Sequence, residues 1–238
     1  MTDTPLRVLV HGASGRMGGA LLRLIAQAPD LRIVAAVSRQ GVVGGPMALL
    51  SADLDAAPDF DVAIDFSLPD ALEPLVVLCE TRARALVSGT TGLSPALRAR
   101  LAAAGDRIPV LWAANFSLGV VVLEDLVERA ARSLPGWRVE LVETHHAGKL
   151  DIPSGTALVL ARAAARGSGS APAIESIREG DVVGDHRIEL RGPGEILVLE
   201  HRAADRDIFA TGALEAARLL ARQGPGLHRF ADLLGTDC

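Results

Sequence analysis

The feature that most constrains this chain is a glycine-spaced turn, Gly12-Ala13-Ser14-Gly15-Arg16-Met17-Gly18, set between two apolar segments of different period. Leu6 to His11 reads as a strand, and Arg16 to Ala28 as a helix. Glycines at such a junction let the backbone turn tightly and approach a ligand. The N–H groups and dipole of the following helix then favour an anion, such as the pyrophosphate of a dinucleotide. The spacing is G-x-x-G-x-x-G rather than the commoner G-x-G-x-x-G, and such a turn can also be built for packing alone. Its setting favours the cofactor reading, because it joins a first strand to a first helix and strand–helix units repeat after it.

Further strands are expected at Leu31 to Ser38, Val62 to Phe66, Ala85 to Gly89 and Pro109 to Ala113. Helices are expected from Pro69 and from Ser94-Pro95. This alternation predicts an α/β fold with a parallel sheet covered on both faces. After Asn115 the rhythm changes. A helix over Leu118 to Ser133 ends at Pro135-Gly136, and a strand from Trp137 to His145 follows. A helix opens at Ser154, and Gly167 to Pro172 is a small-residue, flexible stretch. Arg187 to Arg191 and Glu195 to His201, joined by Gly192-Pro193-Gly194, suggest an antiparallel hairpin. The second half therefore reads as an α+β domain, with Asp207 to Gln223 a helix able to return to the first.

Where the second strand ends, an acid would bond a ribose 2′-hydroxyl, and an arginine would accept a 2′-phosphate. This chain has Ser38-Arg39 there, which leaves NADH and NADPH both open; with no acid to repel the phosphate, NADPH is expected to serve at least as well.

The densest polar chemistry lies at the end of an apolar strand, in Glu143-Thr-His145-His146-Ala-Gly-Lys149-Leu-Asp151-Ile-Pro153-Ser154-Gly155-Thr156. Neighbours on a strand point to opposite faces, so the two histidines should have different tasks. A histidine can donate a proton near neutral pH, and a lysine can stabilise developing negative charge. The helix opening at Ser154 offers backbone N–H groups to an anion. Together these suit a carboxylate-bearing substrate. Each residue alone has a plainer reading, Ser154 as a helix cap and Lys149 as a solvated charge. No cysteine or carboxylate ladder completes a zinc pattern around the histidines, so no metal is expected.

Composition excludes other classes. A net charge of −5 without a basic stripe gives no reason to expect nucleic acid. The two cysteines, Cys79 and Cys238, make a disulfide framework improbable and suit a reducing, cytoplasmic setting. Met1 to Arg7 has no charged segment leading into an apolar one, so no export signal is expected, and no apolar run approaches a membrane span.

The segment His145-His146-x-x-Lys149-x-Asp151-x-Pro153-Ser154-Gly155-Thr156-Ala157 resembles the signature of bacterial dihydrodipicolinate reductases. Gly12 to Gly18, Gly89-Thr90-Thr91-Gly92 and Ala114-Asn115-Phe116-Ser117 are similar to that family's cofactor segments, in the same order. Gly184-Asp185-His186, Gly194-Glu195, His201-Arg202-Ala203 and Phe209-Ala210-x-Gly212-Ala213 extend the likeness over nearly the whole chain.

The resemblance implies a Rossmann-type dinucleotide-binding domain from residues 1–117 and 207–238. Residues 118–206 would form a substrate-binding and tetramer-forming domain, in a cytoplasmic homotetramer. It implies that Gly12, Ala13, Ser14, Gly15, Arg16 and Met17 hold the pyrophosphate. Gly89, Thr90, Thr91, Ala113, Ala114, Asn115 and Phe116 would surround the nicotinamide end, with Ser38 and Arg39 at the adenosine ribose. His145 would donate the proton with Lys149 assisting, and His146, Lys149, Gly155 and Thr156 would bind a small cyclic dicarboxylate. NADPH or NADH would reduce 4-hydroxy-tetrahydrodipicolinate to tetrahydrodipicolinate on the route to diaminopimelate and lysine.

Two features depart from the family pattern. Gly41 to Pro58 is short, and Ser38 stands where the family often carries an acid. Two competing readings are an imine- or amino-acid-type dehydrogenase of similar architecture, which would not need the His-His-x-x-Lys and Ser-Gly-Thr pairing, and a dinucleotide-binding redox sensor, which would need a partner-binding face.

Overall fold

The apolar run Leu6–His11 forms β1, which sits inside a seven-stranded parallel sheet of order β11-β6-β5-β4-β1-β2-β3. The computed structural model describes residues 4–38, 49–51 and 54–235. From β1 the chain runs outward through α1 (Arg16–Ile25), β2 (Leu31–Val37) and β3 (Leu49–Ser51). It then returns to the other side of β1 as β4 (Val62–Asp65), α2 (Pro69–Arg82), β5 (Ala85–Ser88), α3 (Pro95–Ala104) and β6 (Pro109–Trp112). The reversal beside β1 is the switch point at which open α/β sheets take their ligands. β4 and β5 are buried along their whole length, as expected of parallel strands covered on both faces. With few aromatics available, the core beneath them is mainly aliphatic, including Leu9, Leu72, Leu75, Leu86 and Val110 around Phe60.

The second half begins with α4 (Leu118–Ser133), then β7 (Arg138–His145), α5 (Gly155–Ser168), β8 (Ala173–Arg178), β9 (Gly184–Gly192) and β10 (Glu195–Ala203). These strands make a mixed sheet of order β10-β9-β7-β8. Helices α4 and α5 pack together on one face, where Leu123, Val127, Leu160 and Ala164 meet Leu141, Ile188 and Leu190. The alanine-rich side of α5 lets the helices approach closely, with Ala157, Ala161 and Ala164 all in this core. Finally α6 (Asp207–Leu220), β11 (Gly226–His228) and α7 (Phe230–Leu233) complete the chain.

The molecule divides into two units, one built from the chain up to Phe116 together with Phe209–Gly235, the other from Ser117–Ile208. The predicted parallel sheet with a second α+β region is the fold observed. Three strands were not anticipated. β8 follows the small-residue stretch directly and pairs parallel with β7, so β7-α5-β8 is a crossover unit that makes the second sheet mixed. β3 and β11 are three-residue edge strands, too short to show a period. β9 also starts at Gly184 rather than Arg187, and α1 ends at Ile25 rather than Ala28. No described helix is long and apolar enough to cross a membrane.

Candidate active site

In the first unit, the expected cofactor residues gather at the carboxyl ends of the parallel strands. The glycine turn follows β1 and is tied to β2, since the Gly12 and Ala13 amides donate to the Val37 carbonyl at 3.0 and 3.1 Å. Gly12 has φ +78°, and a Cβ there would lie 2.5 Å from the Phe66 carbonyl oxygen, so no other residue fits without a shift. Gly15 caps α1 without a side-chain bond, and the first turn of the helix holds no acid. Ser14, Gly15 and Arg16 are exposed, while Ala13 is buried. These features fit a pyrophosphate: an uncapped helix start, an adjacent arginine and a close backbone. Ser38 follows β2 directly and donates its hydroxyl to Ser14 Oγ at 2.5 Å, which joins the two segments. Arg39 lies outside the described residues.

Gly89, Thr90 and Thr91 follow β5, and Ala113 to Phe116 follow β6. They are linked to one another, because Trp112 Nε1 donates to the Thr90 carbonyl at 2.8 Å and the Ala113 amide to Ser88 at 3.1 Å. Phe116 is a core residue whose ring meets Phe66 edge-on at 5.5 Å. Beneath these loops lies a carboxylate that the sequence reading did not single out. Asp65, fully buried at the end of β4, pairs with His11 Nδ1 at 2.8 Å. It also accepts from Ser88 Oγ at 2.8 Å, Thr90 Oγ1 at 2.7 Å and the Ser67 amide at 3.1 Å. Burial pushes this carboxyl up, but the His11 pair and the bonds from Ser67 and Thr90 hold it below the ordinary range. An acid ending an otherwise apolar buried strand was the available signal.

In the second unit, the alternation of β7 puts Leu141, Glu143 and His145 on its buried face. His145 Nδ1 hydrogen-bonds Glu143 Oε2. The other oxygen of Glu143 accepts from Arg178 Nη2 at 2.9 Å and from the Ser154 amide at 3.3 Å. Ser154 caps α5, accepting from the Ala157 amide at 3.2 Å, and its hydroxyl lies 3.3 Å from His186 Nε2. The rings of His145 and His186 stand edge-on, 5.2 Å apart. Gly184 makes room for this pair, because a Cβ there would lie 2.9 Å from His145 Nε2.

Burial works to raise the Glu143 carboxyl, yet the Arg178 guanidinium and His145 hold it at about 2. His145 is pushed down by burial, opposed by Glu143 and reinforced by the charges of Lys149 and Arg178. Burial, with His145 nearby, lowers His186 to about 4, so it is neutral at pH 7.

The two adjacent histidines differ in setting. His145 is buried, whereas His146 is half-buried just beyond the strand, its amide donating to the Val182 carbonyl at 2.7 Å. Lys149 Nζ pairs with the exposed Asp151 at 2.7 Å. Gly155 opens α5, where it is exposed and a Cβ would meet nothing within 4 Å. Thr156 follows in the first turn. Donor atoms of Glu143, His145 and His186 all lie within 4.8 Å of one another, a grouping a metal ion could use. Arg178 already supplies the positive charge at Glu143, and we assign no metal there.

Two family models divide the chain between them: "Dihydrodipicolinate reductase, N-terminus" over residues 6–116 and "Dihydrodipicolinate reductase, C-terminus" over residues 119–234. A 4-hydroxy-tetrahydrodipicolinate reductase of Stenotrophomonas maltophilia (strain R551-3) is 56% identical over 239 residues, covering 98% of this chain and all of its own. The chain belongs to the dihydrodipicolinate reductase family. A second relative within this reductase family, from Xylella fastidiosa (strain M23), is 49% identical over 98% of this chain and all of its own. A dipicolinate-bound dihydrodipicolinate reductase from Paenisporosarcina sp. TG-14 has the same fold, with a TM-score of 0.84 at 22% identity over 95% of this chain and 98% of its own.

Within this reductase fold, the residues that sequence reasoning left without a role are Glu143, Arg178 and His186 around the histidine, and His11, Asp65 and Ser88 below the loops that follow β5 and β6. Glu143 stood inside the quoted segment, two residues before His145 and so on the same strand face. Arg178 and His186 arrive from strands far along the chain, and only the register of β7 with β8 and β9 brings them in.

Proposed function

We propose that this chain catalyses the NAD(P)H-dependent reduction of 4-hydroxy-tetrahydrodipicolinate to tetrahydrodipicolinate, on the route to diaminopimelate and lysine. The observation that carries this reading is the joining of His145 to the opening of α5 through Glu143, in a chain of this family. It sets a proton donor beside an anion-binding helix start, which is what reduction of a cyclic dicarboxylate needs.

The first unit is the dinucleotide-binding domain, with Gly12 to Met17 at the pyrophosphate and Gly89 to Thr91 and Ala113 to Phe116 at the nicotinamide end. The second binds substrate and forms the tetramer. His146, Lys149, Gly155 and Thr156 hold the substrate carboxylates. The Lys149–Asp151 pair is surface-exposed on the aspartate side, and such pairs contribute only about 0–1 kcal/mol, so a substrate carboxylate can take the aspartate's place. Once water has left the 4-hydroxy substrate, reduced nicotinamide held by Gly12 to Met17, Gly89 to Thr91 and Ala113 to Phe116 would supply the hydride to a ring carbon. His145 donates the balancing proton from Nε2, since Nδ1 is held by Glu143. Lys149 assists by offsetting negative charge.

NADPH serves at least as well as NADH, because β2 is followed by Ser38, which carries no charge to repel a 2′-phosphate. The enzyme is a cytoplasmic homotetramer in this reading, which sedimentation can measure.

The test couples the chain to dihydrodipicolinate synthase and follows loss of reduced nicotinamide absorbance. Turnover is expected with both cofactors, inhibited competitively by pyridine-2,6-dicarboxylate and less by pyridine-2-carboxylate. Chain that binds NADPH yet oxidises neither cofactor in the coupled mixture would overturn the reading.

A further inference from the structure

His145 is faced from several elements at once. Glu143 lies on its own strand, Lys149 and Asp151 on the following loop, Arg178 on β8, His186 on β9 and Ser154 at the start of α5. His201, on β10, stands in register with His186 one strand further away. Among these, the fully buried Glu143 alone joins the ring, the helix and a fixed cation, with one oxygen on His145 Nδ1 and the other shared by the Ser154 amide and Arg178. Arg178 in turn donates to the carbonyls of Asp151 at 2.7 Å and Lys149 at 3.3 Å, so it also holds the loop that carries the lysine.

We propose that Glu143 is a positioning residue that ties the proton-donating ring of His145 to the helix opening that receives the substrate carboxylate, with Arg178 as its fixed counter-charge. This rests on the reading of His145 as the proton donor. The carboxylate fixes which ring nitrogen faces Glu143 and leaves Nε2 for the substrate. Its negative charge also stabilises the protonated ring, while Arg178 opposes that effect. The two residues therefore set the pH at which the donor is loaded, in opposite directions.

The experiment measures kcat/KM against pH in the parent, Glu143→Gln, Glu143→Asp and Arg178→Gln, with pyridine-2,6-dicarboxylate binding followed by calorimetry. In the parent, activity falls as rising pH removes the proton from His145. Glu143→Gln should move that alkaline limb to lower pH by about one unit and reduce kcat roughly tenfold. Arg178→Gln should move it to higher pH. Glu143→Asp keeps the charge but withdraws it, so the limb should return toward the parent pH with kcat still reduced; it also serves if the glutamine variant does not fold. Dicarboxylate binding should weaken several-fold in Glu143→Gln, because the helix opening loses its charged anchor. A limb fixed at the parent pH in the Glu143 and Arg178 variants, with only kcat lost, would show a merely structural carboxylate and overturn the proposal. Parent-like turnover in His145→Asn would instead remove the proton-donor reading beneath it.

Discussion

Among the described residues, each unit of this reductase buries one carboxylate at or near a strand end, and the company each keeps is different. Asp65 is surrounded by two hydroxyls, a backbone amide and His11, drawn from the ends of β1, β4 and β5. Those partners are strand ends and the loops after β4 and β5, so the carboxylate acts as a hub for backbone geometry. Glu143 has an arginine and a helix amide on one oxygen and a histidine on the other. Its partners carry or exchange protons, so it governs a charge state. The same functional group, buried alike, serves shape in one unit and proton chemistry in the other, and the neighbours decide which. The distinction predicts that damage to one unit leaves the other's ligand bound.

The largest separation should come from Gly12→Ala. The new Cβ would press on the Phe66 carbonyl at 2.5 Å in a backbone with φ +78°. Cofactor affinity should fall by about 100-fold or more, on the order of 3 kcal/mol, while pyridine-2,6-dicarboxylate still binds. Titration of both ligands checks this, and cofactor affinity equal to the parent's would remove the turn from the pyrophosphate site. Next is His145→Asn, which should lower kcat by about 10²-fold, the scale of a general acid. Its dissociation constant for NADPH should equal the parent's; a variant that loses the cofactor instead would break the division of labour.

Acid should sharpen the comparison further. His186 has a folded pKa of about 4 against an ordinary 6.5, so folding favours its neutral form. The stability this contributes is complete above about pH 6.5 and is lost as pH falls toward 4. Glu143, depressed from 4.5 to about 2, contributes stability that is lost as pH falls from about 4.5 through 2, below the range measured. Melting followed from pH 7.5 to 5 should therefore show a fall of several degrees in the parent, reduced in His186→Gln. Equal melting temperatures across that range would contradict a buried neutral histidine. The smallest effect is expected from Ser38→Glu, which replaces the hydroxyl bonded to Ser14 by a charge. Preference should shift toward NADH by several-fold in kcat/KM, and an unchanged ratio would place the 2′-phosphate elsewhere.

Much of this is legible in the sequence alone. The strands of the first unit are apolar runs bounded by glycine and proline, and the glycine turn falls at the sheet's switch point because it follows the first of them. The polar segment from Glu143 to Thr156 declared itself by density. What escaped has a common cause. β11 is a three-residue edge strand, and β8, though six residues long, is an edge strand whose identity comes from its pairing with β7 rather than from a period of its own. Arg178 and His186 matter through register and burial, which no local pattern encodes, while Asp65 left only the trace of an acid closing an apolar strand. The Asp65 network spans residues from His11 to Thr90, and only the parallel pairing of β1, β4 and β5 brings them to one point.

The most direct test sets the two carboxylates side by side. Cofactor KM and the alkaline limb of kcat/KM are measured in Asp65→Asn and in Glu143→Gln under the same conditions. Asp65→Asn should raise the cofactor KM about tenfold, equivalent to roughly 1.4 kcal/mol, and leave the limb at the parent pH. Glu143→Gln should leave the cofactor KM within about twofold and move the limb to lower pH. If Asp65→Asn moves the limb, or Glu143→Gln raises the cofactor KM as much as Asp65→Asn does, the two buried acids do not divide binding and proton chemistry between them.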